Sequence, residues 1–305
     1  MIWKKFLLPG CMICLMALFF SGGVLASDEP VVVNMMIAAD LAPSALDMPS
    51  ENRTDLEAFS LLDMVDEIGP KKLNVTIYTT GDFISQRTDD ALYKLFATQV
   101  GSDPRHELAM HGMTTDELLG PMPYGEQYPL LREVKRLVES AYVCEGLKIV
   151  ANGFGPQRFN QSETTYKILD KMGVVYDTGF QAGLVYLPGH EDDTWPYPAE
   201  GHSFYAVPVS THTLSGEVVY LSDRLAKEEL GLNGTQWYDL LVDEFVECAE
   251  NDDPMVVVFH NFIFGSNEGY RDAYADFIDY ATSKNATFVT TLELVEMAKS
   301  GGEAS

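Results

Sequence analysis

Residues 104–115 read Pro-Arg-His-Glu-Leu-Ala-Met-His-Gly-Met-Thr-Thr. Within them, His106–His111 holds two of the chain's six histidines and a glutamate. On a strand, successive side chains alternate faces. His106, Leu108 and Met110 then share one face, and Glu107, Ala109 and His111 share the other. His111 ends a short buried strand and enters a loop containing Gly112. In α/β proteins, chemistry gathers at such strand ends. Two imidazoles there can equally be satisfied polar groups, so the surrounding chain has to decide.

Upstream, Val31–Ala39 is a near-continuous apolar run, as in a parallel strand buried on both faces, and it ends at Asp40. Thr54–Ile68 has helical spacing, with Leu56, Phe59, Leu62 and Val65 on the inner face. Leu73–Thr79 is a β-branched strand and Thr88–Val100 a helix. Downstream, helices are expected at Tyr128–Cys144, Ser162–Met172, Gln236–Ala249, Gly269–Ser283 and Leu292–Lys299. Strands are expected at Leu147–Ala151, Val174–Tyr176, Phe204–Val209, Met255–Phe259 and Ala286–Thr290. Residues 180–203 are aromatic, proline-rich and without pattern. Strand and helix alternate to the end with no long linker, which predicts one α/β domain over residues 27–300 and a short tail at 301–305. No phosphate-binding glycine motif follows the first strand, so a closed or partly closed parallel barrel is favoured over an open doubly wound sheet.

The chain carries 20 Lys+Arg against 46 Asp+Glu, a formal net charge of −26. Such a surface repels phosphate backbones, which argues against nucleic acid as a partner. Hydrophobic residues make up 46% of the chain, enough for a packed core over most of its length. Met1–Lys5 is a short positive head, Phe6–Phe20 an apolar run and Ser21–Ala26 a small-residue end. That pattern predicts a secretory signal peptide at residues 1–26, cut before Ser27, and hence a secreted or cell-surface protein. An uncleaved N-terminal anchor is the alternative. No apolar stretch further on is long enough to span a membrane. Asn52, Asn74, Asn160, Asn233 and Asn285 head glycosylation sequons, which fits export. Cys144 and Cys248 remain after the leader, and either a disulfide or two buried thiols fits them.

Three ionisable residues follow strands directly: Asp40, His111 and His260. In a parallel barrel every strand C-terminus opens on one face, so these side chains can converge. A carboxylate and an imidazole suit a divalent metal such as zinc, and a further imidazole can act as acid or base. Trp195, Tyr197, Phe204, Tyr205, Tyr124 and Tyr128 lie in loops or near strand ends where they could line a groove for sugar rings, or pack in the core. His190 and His202, near Asp192 and Asp193, offer a replacement ligand.

The order and spacing of these segments resemble the polysaccharide deacetylases, the group that includes chitin, chitooligosaccharide and peptidoglycan N-deacetylases. Val32–Ser44 is similar to the family's strand leading into Thr-Phe-Asp-Asp-Gly-Pro, and Ile77–Phe83 to its Thr-Phe-Phe-Val-Thr-Gly strand. Arg105–His111 resembles Gly-His-Glu-Ile-Gly-Asn-His, and Phe154–Gly173 the Arg-Pro-Pro-Tyr-Gly loop with its following helix. Phe204–Ser210 resembles the short strand ending in Ile-Pro-Val; Val257–His260 and Ala286–Leu294 resemble the Leu-Leu-His and closing segments. The resemblance implies a distorted (β/α) barrel of about seven parallel strands. It also implies metal-dependent hydrolysis of an N-acetyl group on an extracellular carbohydrate. Asp40 and His111 would hold the metal, zinc by the family's chemistry, with Asp40 and His260 catalytic. Phe154, Pro156 and Trp195 would contact the N-acetylated glycan. Against the family's pattern, its paired aspartates fall on Asp40-Leu41, its second metal histidine on Thr115, and its loop arginine near Gly155, with Arg158 displaced. These departures leave a second implication open: a degenerate barrel that binds glycan or a surface partner without turnover.

Overall fold

The computed structural model describes residues 30–42, 53–85, 103–141 and 149–302. The leader, Thr88–Val100 and Cys144 lie outside the described residues. Strand period and apolar runs build the frame. In chain order the strands are β1 (Val32–Ala39), β2 (Val75–Thr79), β3 (His106–Met110), β4 (Gly153–Phe154), β5 (Tyr176–Gln181), β6 (Tyr197–Pro198), β7 (Tyr205–Val209), β8 (Thr211–Leu214), β9 (Glu217–Tyr220), β10 (Met255–His260) and β11 (Thr287–Phe288). The helices are α1 (Arg53–Ile68), α2 (Gly81–Ser85), α3 (Tyr124–Ala141), α4 (Glu163–Met172), α5 (Asp223–Glu228), α6 (Gly234–Asn251), α7 (Asn261–Ser266), α8 (Glu268–Ser283) and α9 (Thr291–Gly302).

The main sheet runs in the order β10-β1-β2-β3-β4-β5-β7-β6. The strands from β10 to β7 pair in parallel, seven in all as the resemblance implies, and only the edge strand β6 is antiparallel. The sheet curls until its ends meet. Ser210 N–H bonds to Val256 O and Val258 N–H to Leu221 O, so the chain leaving the β8–β9 hairpin fills the seam between β7 and β10. The result is a (β/α) barrel closed partly by a hairpin arm.

Alternation sorts the side chains into two layers. Met35, Ile37, Leu108, Met110, Val257 and Phe259 face outward and pack with helical residues such as Leu61, Val134 and Trp237. Met36, Tyr78, Ala109, Tyr176, Val207 and Val256 form a separate inner cluster, together with Leu294 and Val295 of α9. The start of α9 also enters a polar network: Thr291 bonds to Thr76 and Asn34, and Glu107 accepts from Thr76 and from Leu292 N–H.

Several boundaries shift from those expected. The strand expected at Leu147–Ala151 sits later, at Gly153–Phe154. Helix α3 begins at Tyr124, one turn before the expected start. Pro129 lies inside the helix, where it removes one backbone donor. Phe59, expected to face inward, is 49% exposed, whereas Leu61, Met64 and Ile68 are buried.

Helices α6 and α8 meet through backbone contact. A methyl group added at Gly234 would lie 2.1 Å from Gly269 O, a backbone atom that cannot rotate away. Gly234→Ala is expected to lower stability by about 1–3 kcal/mol. The check is a urea melt, read as a lower midpoint at unchanged slope. An unchanged midpoint would mean the two helices separate freely.

Candidate active site

The inward parity that places Met36 and Tyr78 in the barrel also carries the next residues at the strand ends. Ala38 pairs with His260 and with Tyr78, and Tyr78 pairs with Ala109. Two residues further along, Asp40 and His111 therefore face the same interior as His260. One ligand atom from each of Asp40, His111 and His260 lies within 4.8 Å of the others. His111 Nε2 stands 3.7 Å from Asp40 Oδ2. Asp40 is fully buried and His260 is 6% exposed.

The partners of both rings fix where the protons lie. His111 Nδ1 is 2.8 Å from Gly155 O, a carbonyl that can only accept, so Nδ1 carries the hydrogen and Nε2 keeps its lone pair. That approach needs a glycine, since a methyl at 155 would lie 2.7 Å from Thr178 Oγ1. His260 Nδ1 is 2.6 Å from Asp223 Oδ1, and His260 N–H donates to Asp223 Oδ2 at 2.8 Å. Gln157 Nε2 donates to Asp40 at 3.2 Å and to His111 O at 3.1 Å. Asp40 N–H donates to Asn261 Oδ1 at 3.1 Å. Burial holds the His111 imidazole below its ordinary 6.5; the Asp40 charge opposes this and the His260 ring adds to it.

Three electron-pair donors thus face one another: a carboxylate and two imidazole Nε2 atoms. A carboxylate beside an imidazole oriented through Nδ1 suits a divalent ion such as zinc, with the second imidazole left for proton transfer. The residues present therefore fit a divalent ion. Thr115, at the place of the family's second metal histidine, adds no ligand: its hydroxyl donates to Leu41 O at 2.5 Å. Above the donors opens a cavity of about 670 Å³, counting space open to solvent at its mouth. Its walls include Tyr78, Pro156, Arg158, Phe159, Tyr220 and Arg224. Arg158 and Arg224 both pair with Asp116, at 2.9 and 3.3 Å.

No protein-family model matches the chain, and no curated protein does. Solved structures do. A Mycobacterium smegmatis protein assigned as a polysaccharide deacetylase superposes with a TM-score of 0.66 at 15% identity, over 90% of this chain and 93% of its own. The fold is that of the polysaccharide deacetylases. Puue allantoinase shares it, with a TM-score of 0.66 at 14% identity over 87% of this chain and 89% of that one. So does a CE4 family pseudoenzyme from Bacillus anthracis, with a TM-score of 0.52 at 11% identity over 88% and 66%.

Within the polysaccharide deacetylase fold, four expected contributors lie elsewhere. Phe154 is fully buried in the outer layer, because it is one residue out of phase with the inward-facing Gly155. Pro156 does line the cavity. Trp195 does not; its Nε1–H donates to Asp252 O, on the approach to β10 and so at the far end of that strand from His260. His190 and His202 are no replacement ligands: they bond to Asp193 at 2.6 Å and to Asp170 at 2.7 Å. Cys248 is a buried free thiol, and Cys144, its partner in the disulfide reading, lies outside the described residues.

Gln157, Asp223 and Arg224 were not anticipated. The stretch Thr211–Tyr220 carried a usable signal: alternation on either side of Ser215-Gly216 marks a hairpin. Both turn residues have positive φ, 53° and 88°. Ser222 then precedes the helix that holds Asp223 and Arg224.

Proposed function

We propose that the chain is an exported hydrolase that cleaves the C–N bond of an N-acetyl group on a carbohydrate. The observation that carries this is the meeting of Asp40, His111 and His260, the two histidines lining an open cavity and the buried Asp40 beneath them, with both Nδ1 atoms already engaged. Asp40 and His111 would hold the divalent ion, zinc by donor chemistry. When bound, such an ion polarises the carbonyl oxygen and lowers the pKa of water. Gln157 holds the Asp40 carboxylate as a neutral donor, where the family's arginine would bring a charge. His260, steered by Asp223, takes a proton at Nε2 and returns it to the leaving nitrogen, and the Asp223 carboxylate stabilises the imidazolium in between. The aromatic wall of Tyr78, Phe159 and Tyr220 offers flat surfaces for a sugar ring. Export rests on the leader-like pattern of residues 1–26. Among the described residues no helix is long and apolar enough to cross a membrane.

A second reading, glycan binding without turnover, is favoured by Leu41 standing in the family's aspartate pair and Thr115 at its second metal-histidine position. Metal content after dialysis, measured alongside acetate release from N-acetylglucosamine oligomers, separates the two. The hydrolase is expected to retain a divalent ion and to lose acetate release on chelation, with recovery on adding zinc back. Retained glycan binding with neither metal nor acetate would establish the second reading.

A further inference from the structure

We propose a second zinc site, in the cleft between the β8–β9 arm and helix α6, held by His212, Glu244 and Glu247. It shares no residue with the cavity above His260, and its argument is independent of the hydrolytic reading. Glu244 and Glu247 are three apart on α6 and so share one helix face. His212, on β8, points its Nδ1 between them, at 3.1 Å from Glu244 Oε2 and 3.4 Å from Glu247 Oε2. One donor atom from each of the three lies within 4.8 Å of the others.

The contact to Glu244 is a hydrogen bond, and both separations also fall near those of two ligands on one ion. The histidine–carboxylate contacts of His190, His202 and His260 are 2.6, 2.7 and 2.6 Å, as expected of charge-assisted bonds. His212 is instead shared between two carboxylates at longer range. Ligands on a tetrahedral zinc ion stand about 3.3–3.6 Å apart, given zinc–nitrogen and zinc–oxygen distances of about 2.0–2.2 Å. Charge points the same way. Glu244 and Glu247 line the cleft with Asp253, Cys248 and Asn251, no Lys or Arg is among its lining residues, and His212 stands beside it. One imidazole cannot balance these carboxylates, whereas a divalent cation can. Glu244 is buried and Glu247 exposed, so the site has a floor and a way in.

Zinc here would release the Nδ1 proton of His212 and tie the hairpin arm to α6. The same arm closes the barrel seam and delivers Asp223 to His260. The test uses the full chain carrying Asp40→Asn and His111→Ala, so that the first site is silent. Zinc titration by calorimetry is expected to show one remaining equivalent, weakened at least about tenfold by His212→Ala and by Glu247→Gln. Glu247 is exposed, so its variant tests the site without threatening the fold. Crystals soaked in zinc should show an anomalous peak between His212 and Glu247. Unchanged zinc affinity in both variants, or no zinc bound to the Asp40→Asn/His111→Ala protein, would overturn the proposal.

Discussion

His260→Ala is expected to lower acetate release by about 10²–10⁴-fold, the usual contribution of a positioned acid or base. The loss should appear equally in kcat and kcat/KM, because the proton transfer belongs to the transition state and not to substrate binding. Asp223→Asn should reproduce most of it. In the native site both Asp223 oxygens accept, one from the ring at 2.6 Å and one from the backbone at 2.8 Å. An amide in that place can donate to Nδ1 and move the ring proton to Nε2, which aims the wrong atom at the substrate. It also removes the negative charge that stabilises the imidazolium. A merely structural role would change thermal stability and leave the pH profile of the residual rate in place. The expected result is the reverse: near-native melting and a lost limb in the pH profile. Native kcat in either variant would remove the dyad from the mechanism.

The frame was legible because strand parity is a strong constraint. Val31–Ala39 and Met255–Phe259 read as strands from apolar runs alone, and each ends on a chemically capable residue. Once the strands are parallel, Asp40, His111 and His260 share one end and one face with no further assumption. The same parity explains one miss. Phe154 was read as a substrate contact, yet a one-residue offset sends a side chain to the opposite face. Trp195 failed for a different reason. An indole needs a partner for its N–H as well as a surface for its ring, and here Asp252 O supplies the partner far from the cavity.

What stayed hidden depends on tertiary closure. Asp223 sits 37 residues before His260 and reaches it only because Leu221 and Ser222 fill the barrel seam. Gln157 reaches Asp40 across 117 residues, from a loop whose backbone turns through Arg158 and Phe159 at positive φ of 51° and 55°. Local propensity carries no signal for such contacts. They follow from how the curled sheet meets itself.

Acidification from about pH 8 to about pH 5 is expected to stabilise the protein, the reverse of the usual acid response. Burial raises the Glu107 carboxyl from 4.5 to about 7 and the Asp177 carboxyl from 3.8 to about 7. Between the unfolded and folded values, the folded chain holds protons that the unfolded chain has lost, so stability falls as pH rises through about 7. It is fully regained below the unfolded values. At about 1.4 kcal/mol per unit, the ceilings are about 3 kcal/mol for Glu107 and about 4 kcal/mol for Asp177. Glu117, raised to about 7 by burial, acts in the same direction. His111 opposes them, because its folded imidazole resists a proton that the unfolded ring accepts below 6.5. One imidazole stands against three carboxyls, so the net sign holds. Protonation also relieves the repulsion of a chain at −26, which would give a similar trend without any buried group. Glu107→Gln and Asp177→Asn separate the two causes, since each keeps the side-chain shape and removes the titration. Urea midpoints measured across this range should rise on acidification in the native chain and flatten in each variant. Equal slopes in all three would assign the trend to surface charge and return both carboxyls to ordinary titration.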